Sequence, residues 1–313
     1  MRRISKAVLA LFCTYLLLAG AAGVVIAEAS LKLHHRALQH RAQAVALVRE
    51  RYRTELQEVM IEAADGATLK AWYVHPGKFN GKVVVLLHGI TDNREGVAAY
   101  AELFLHNGYA VLLPDARDHG ESGGAIATYG LMEANDIHRW VSWIYTHDPP
   151  PSQCVYGFGE SYGAALMLQS LAEETRYCAV AVESSFSTAR EMSYDRISEP
   201  LHLGRWFGQT LGRPVIVSAV IYARLRYGID LLQPSPMHAL AQSAVPVLLI
   251  HGMKDRTIEP RHSLALAAAA PSHVQLWLVP NAWHTGAWAA APRQFETTVL
   301  QWFGGHPGAA TRL

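Results

Sequence analysis

The stretch Cys154-Val155-Tyr156-Gly157-Phe158-Gly159-Glu160-Ser161-Tyr162-Gly163-Ala164-Ala165-Leu166-Met167-Leu168-Gln169-Ser170-Leu171 joins two kinds of local structure at one serine. Its first five residues make a short apolar run beside glycine, the pattern of a buried strand. Its last eight are dominated by alanine, leucine and methionine, which favour helix. Between them, Gly159-Glu160-Ser161-Tyr162-Gly163 must turn sharply, and the glycines flanking the serine leave room for that. A helix that begins at the serine aims its positive end at whatever reacts there. The same Gly-x-Ser-x-Gly spacing recurs at 120–124 around Ser122. There it follows Pro114-Asp115-Ala116-Arg117-Asp118-His119 and has no helix immediately behind it. Ser122 therefore reads as a loop residue and Ser161 as the nucleophile.

Outward from this turn the chain alternates strand and helix patterns. Strand-like runs occupy 58–63, 68–75, 82–87, 109–114, 154–158, 178–183, 245–250 and 274–279. Val97, Ala101, Phe104 and Leu105 mark one helix, and Ile137, Trp140, Val141 and Ile144 another. Phe295, Val299, Trp302 and Phe303 mark the last. Continuous apolar strands separated by amphipathic helices predict an α/β fold with a mostly parallel sheet covered on both faces. Asp65-Gly66 makes the first two strands a hairpin, the antiparallel edge. The interval 187–240 breaks the rhythm. It holds Leu201, Leu203, Trp206, Phe207, Ile221 and Tyr227, and reads as a candidate lid or as a helical excursion.

A serine hydroxyl needs a base to take its proton. Asp255 follows the strand ending in Ile250-His251-Gly252, and His284 follows the next one. Both fall on the carboxyl edge of the sheet with Ser161, in the chain order Ser, Asp, His expected of this architecture. The developing oxyanion needs amide donors. The amide of Tyr162 is one choice, and that of Ile90, after His88-Gly89, is the other. His88 and His251 each precede a glycine at a strand end, where packing explains them. His119 reads as a loop partner, and Glu259 is the substitute for Asp255.

These residues resemble the α/β-hydrolase superfamily of serine hydrolases, over roughly 55–304. The likeness rests on His88-Gly89, Asp115-Ala116-Arg117-Asp118-His119-Gly120-Glu121-Ser122, the 159–163 turn, Val245-Pro246-Val247-Leu248-Leu249-Ile250-His251-Gly252 leading to Asp255, and His284. It is closest to the esterase, lipase and serine-aminopeptidase-like branch, some members of which carry one amino-terminal anchor. The resemblance implies an eight-stranded sheet and a cap after the sixth strand. Asp118 departs from it, since relatives commonly have glycine there. Dehalogenase relatives carry aspartate at the nucleophile, against which Ser161 argues.

The composition agrees. Apolar residues are 50% and charged ones 17% of 313, enough for a core and unlike a disordered chain. A net charge of +1 speaks against a nucleic-acid binder. Three cysteines are too few for a disulfide scaffold and lack zinc spacing. Cys154 and Cys178 begin neighbouring strands; buried free thiols are the expectation, and a disulfide between them is the alternative if the domain is exported. Residues 7–27 carry no charge, and as a helix they span about 30 Å, the thickness of a bilayer's hydrocarbon core. A cleaved signal with Ala27-Glu28-Ala29 as its site and a buried helix are the competing readings, and the length favours an uncleaved anchor. Arg2, Arg3 and Lys6 favour a cytoplasmic start with the domain outside, although Lys32, Arg36 and Arg41 nearly balance them. The expected divisions are an anchor at 1–27, a basic amphipathic linker helix at 28–53, and a hydrolase domain at 54–305 with its cap at about 187–240. A loose tail at 306–313 completes them. Leu31, Leu38, Val45 and Tyr52 form the linker's apolar stripe. The expected reaction is hydrolysis of a carboxylic ester or thioester of a small molecule by Ser161, His284 and Asp255, with no metal or organic cofactor. An aminopeptidase, an acyltransferase and a non-catalytic membrane scaffold are the alternatives. Glu183, Glu191 and Glu199 are the candidates for holding a peptide's amino terminus.

Overall fold

The computed structural model describes residues 2–34, 36–147 and 154–307. They divide into two compact units. One is Met1–Leu33 with Thr188–Pro234, and the other is His34–Ser187 with Ser235–Leu313.

The larger unit begins with α2 (Arg41–Tyr52), which follows α1 (Arg2–Leu31) of the smaller one. An eight-stranded sheet is then assembled from β1 (Leu56–Glu62), β2 (Thr68–Val74), β3 (Lys82–Leu87), β4 (Ala110–Pro114), β5 (Cys154–Glu160), β6 (Tyr177–Glu183), β7 (Val247–Gly252) and β8 (Val274–Val279). Its order is β1-β2-β4-β3-β5-β6-β7-β8. The β1–β2 and β2–β4 pairs are antiparallel, and the others are parallel. This is the predicted α/β architecture with its antiparallel edge.

Helices α3 (Ala98–His106), α4 (Glu133–His147) and α5 (Tyr162–Ser170) follow in chain order. The smaller unit then adds α6 (Ala189–Ser198), α7 (Trp206–Gln209) and α8 (Arg213–Tyr227). The larger unit resumes with α9 (Pro236–Gln242), α10 (Arg261–Ala269), α11 (Ala287–Ala290) and α12 (Pro292–Gly305). Alternate residues of β3 serve opposite faces of the sheet, as the period of a strand requires. Val83, Val85 and Leu87 join a core with Trp140 of α4 and Leu166 of α5, while Val84 and Leu86 join one with Phe104 of α3 and Phe303 of α12. Burial on both faces is why these strands read as unbroken apolar runs.

Three expectations change. The segment 28–53 is not one helix, because α1 ends at Leu31 and α2 begins at Arg41. Lys32, Arg36 and Arg41 crowd like charge along such a helix. The Glu95 carboxylate instead accepts the amides of Gln39 and His40, at 2.9 and 2.7 Å, where α2 starts. Leu31 and Val45 thus lie on different helices. The cysteines also differ from expectation: Cys154 and Cys178 are joined, with Cα atoms 5.7 Å apart, at the starts of adjacent strands β5 and β6. The parallel β5–β6 ladder shifts register between Val155 and Tyr156, beside this bond. A bond closing a separation of 24 residues constrains the unfolded chain. Replacing both cysteines by alanine is expected to cost about 3 kcal/mol of stability. Denaturant melts check this, and an unchanged midpoint contradicts it. Finally, His306 of the expected tail is held, since its carbonyl accepts the Tyr156 hydroxyl at 3.1 Å. Residues 308–313 of that tail lie outside those described.

Candidate active site

Six parallel strands bring their carboxyl ends to one edge, where Glu160 pairs with Glu183, Glu183 with Ile250, and Gly252 with Val279. Ser161 directly follows β5, Asp255 lies three residues beyond β7, and His284 lies five beyond β8. The sheet also reverses its winding between β3 and β5, the place where open α/β sheets form crevices.

Ser161 has φ 53° and ψ −115°, a conformation that side chains rarely adopt. The surroundings enforce it. A Cβ on Gly163 would overlap the Leu87 carbonyl, and one on Gly159 would lie 2.5 Å from the Gly163 oxygen. The Ser161 amide is tied to the Glu183 carbonyl at 2.8 Å. The hydroxyl is thereby fixed at the first turn of α5.

His284 Nε2 lies 2.8 Å from Ser161 Oγ, and its Nδ1 lies 2.7 Å from Asp255 Oδ2. The structure therefore brings together all three side chains named from the sequence. Asp255 is fully surrounded. Its Oδ1 accepts the amides of Thr257 and Ile258, both at 2.9 Å, and its Oδ2 accepts the Ser184 hydroxyl at 2.9 Å. Burial alone would raise its pKa, but hydrogen bonds from His251, His284 and the Ile258 amide outweigh that and hold it well below the usual carboxylate range. A charged carboxylate at this position orients the His284 imidazole.

The loop after β3 comes close as expected. A Cβ on Gly89 would lie 3.9 Å from that of Ser161. Ile90 follows on this loop, and Tyr162 is the first residue of α5, where amides have no partner within the helix. His88, His119 and His251 are each held by hydrogen bonds of their own. His88 Nε2 accepts the Ala116 amide at 3.1 Å, and burial lowers its pKa, so the ring stays neutral. His251 lies 2.6 Å from the Ser263 hydroxyl, and His119 lies 2.9 Å from the Arg117 carbonyl. Ser122 accepts the Lys70 amide at 2.9 Å and donates to the Asp115 carbonyl at 2.8 Å, which fits its reading as a loop residue. Asp118 has φ 56°, a left-handed conformation that glycine adopts at no steric cost. Glu259 is engaged with Arg261 at 3.1 Å. Among the described residues, no group of three or more His, Cys, Asp or Glu is arranged to hold a metal.

Two carboxyl groups adjoin the site that the sequence did not single out as a pair. The Tyr100 hydroxyl lies 3.1 Å from Glu160 Oε2 and 3.4 Å from Glu183 Oε2. One hydroxyl has one proton to donate, so it satisfies only one of the two carboxylates at a time. Burial pushes both acids up to about 7, helped by Asp92 near Glu160 and by Glu160 near Glu183. Glu183 Oε1 also accepts the Ala287 amide at 2.8 Å, three residues from His284. Acids with a raised folded-state pKa stabilise fully below their unfolded value of 4.5, and that contribution disappears as pH climbs through about 7. Melting temperature is accordingly expected to fall across that window, and Glu183→Gln to flatten the fall. An identical slope in the variant would contradict the assignment.

The sequence pattern of the Alpha/beta hydrolase family matches residues 84–298. The chain belongs to this family. Among relatives of this hydrolase, the uncharacterized protein YqkD of Bacillus subtilis is 25% identical over 248 residues, 77% of each chain. The uncharacterized protein YfhR of Escherichia coli K12 is 24% identical over 240 residues, covering 74% of this chain and 75% of its own. Among solved structures, the Pyrococcus furiosus esterase Pf2001 is similar with a TM-score of 0.67 at 22% identity, covering 82% of this chain and 95% of its own. The Pyrococcus horikoshii acylaminoacyl peptidase is similar with a TM-score of 0.61 at 18% identity, covering 81% of this chain and 42% of its own. An α/β-hydrolase fold with esterase and peptidase neighbours supports a hydrolase.

Proposed function

We propose that the protein is a membrane-anchored serine hydrolase that cleaves carboxylic esters through an acyl-enzyme. The carrying observation is the relay itself, 2.8 Å from Ser161 Oγ to His284 Nε2 and 2.7 Å from Nδ1 to Asp255. Ser161 attacks the carbonyl carbon as His284 takes its proton, and Asp255 stabilises the imidazolium. The oxyanion is held by the amides of Ile90 and Tyr162. His284 then protonates the departing alcohol, the acyl group stays on Ser161, and water activated by His284 releases the acid.

An apolar substrate is favoured by the exposed side chains on the loops that carry the site. Ile90 follows β3, Met253 follows β7 and Trp283 precedes His284, all exposed. The peptidase reading lacks a carboxylate to hold an amino terminus among those named for it. Glu183 is buried on Tyr100 and Ala287, Glu191 pairs with Arg205, and Glu199 pairs with Arg196.

The helix Ser5–Leu31, with mean hydropathy 2.3, is long and apolar enough to cross a membrane. Cleavage as a signal would strip α1 from Ser218 and Ala219, against which Gly23 packs. That contact supports an uncleaved anchor. The Cys154–Cys178 bond supports a domain on the oxidising side, periplasmic or extracellular.

A fluorophosphonate is expected to label the native protein and to leave Ser161→Ala unlabelled. Labelling that survives the substitution would remove Ser161 from its role. p-Nitrophenyl esters graded by chain length should turn over faster than an aminoacyl anilide, and the reverse order would favour the peptidase.

A further inference from the structure

In the smaller unit, α1 and α8 lie side by side and run in the same direction. The Tyr15 hydroxyl donates to the Leu211 carbonyl just before α8. A Cβ on Gly23 would lie 2.6 Å from Ser218 Cβ and 2.8 Å from the Ala219 nitrogen. Glu28 accepts the hydroxyls of Tyr222 and Tyr227 at 2.6 and 2.5 Å. Ala19, Gly23, Ala27 and Leu31, every fourth residue, are buried along this seam. Small residues at that spacing let two helix backbones approach closely.

A length argument follows from this register. Residues 7–14 are exposed on every side. Eight residues of helix rise only about 12 Å, whereas the hydrocarbon core of a bilayer is about 30 Å thick. If α1 crosses, the remaining thickness must come from 15–27, the part flanked by Leu211 and the first half of α8. Resting on the anchor reading of α1, we propose that the α7–α8 segment is immersed in one leaflet of the bilayer beside α1, its exposed apolar face covered by lipid acyl chains.

That face carries Trp206, Leu211, Val217 and Ile221, which are 54%, 57%, 44% and 51% exposed. Its far limit is marked by the cluster of Glu28, Lys32, Tyr222 and Tyr227. Tyrosine suits the level where hydrocarbon gives way to headgroups. The Leu211 carbonyl, which lipid cannot hydrogen-bond, has the Tyr15 hydroxyl as its donor. The neighbouring charges Arg205 and Arg196 are paired with Glu191 and Glu199. Arg226, near the Glu28 end of α8, is long enough to snorkel toward phosphates.

The test uses the full chain in phosphatidylcholine vesicles, with Cys13→Ser as background. Single bimane reporters are placed by Leu17→Cys, Val217→Cys, Ile221→Cys and, in the larger unit, Ser272→Cys. Circular dichroism melts confirm that each labelled protein is folded. Positions 17, 217 and 221 are expected to lose most of their fluorescence to nitroxide-bearing lipid and little to aqueous iodide, and 272 the reverse. If 17 follows the lipid pattern but 217 and 221 follow that of 272, the anchor stands and the proposal fails. If 17 is itself quenched by iodide alone, the anchor reading fails first. Reporters at 217 and 221 shielded from both quenchers would mean that protein covers the face, which also overturns the proposal.

Discussion

Alanine at position 284 is expected to lower kcat for an ester by about a millionfold, with little change in melting temperature. The size of the effect follows from what is lost. On the proposed mechanism, without the imidazole nothing accepts the Ser161 proton, and the leaving alcohol has no acid to protonate it. The fold should survive because Asp255 keeps the Thr257 and Ile258 amides and the Ser184 hydroxyl, so its buried charge stays solvated by protein. The His284 side chain is 22% exposed, and its removal leaves no sealed cavity. Steady-state kinetics beside a thermal melt measures both halves. Activity within tenfold of native would point to another base. The nearby alternatives are poor ones, since His88, His119 and His251 are buried and already hydrogen-bonded to the Ala116 amide, the Arg117 carbonyl and Ser263.

Most of the sheet was legible because its signals are local. The apolar runs at 82–87 and 274–279 coincide with β3 and β8, and each helix pattern names residues that do pack inward. The meeting of Ser161, Asp255 and His284 was also legible, because each sits just past a strand and parallel strands end at one edge. What the sequence hid is tertiary. Ser184 follows a buried strand, and nothing in Glu183-Ser184-Ser185 says that its hydroxyl faces a carboxylate 71 residues away. Tyr100 sits among the apolar residues of α3, and its role needs the position of two later strands. The pairing of Cys154 with Cys178 depends on the lateral register of β5 and β6, where the shift at Val155 and Tyr156 is invisible in composition. The start of α2 at Arg41 was hidden because the Glu95 carboxylate that accepts the amides before it lies more than fifty residues downstream.

Arg94→Met is expected to destabilise the larger unit by about 3–5 kcal/mol, because it withdraws the positive charge from a buried carboxylate. Arg94 is 1% exposed. Its amide donates to Asp115 Oδ1 at 2.8 Å and its guanidinium to Oδ2 at 2.6 Å, while the Glu121 amide also reaches Oδ2 at 2.7 Å. Asp115 thereby shapes the turn at Gly120, whose φ is 50° and where a Cβ would collide with the carboxylate. Methionine keeps the bulk and the contact over Trp72 but withdraws the charge. For a domain of this size the loss corresponds to a drop of roughly 10 °C in melting temperature. The double change Arg94→Met with Asp115→Leu separates the causes. If the penalty comes from an uncompensated charge, the double variant recovers part of the stability even though it has lost more hydrogen bonds, since a buried ion pair is worth little against apolar packing. If the penalty comes from lost hydrogen bonds to the 115–122 turn, the double variant is worse than the single. A single variant melting within about 2 °C of native would show that the pair contributes nothing and that the turn holds its shape without it.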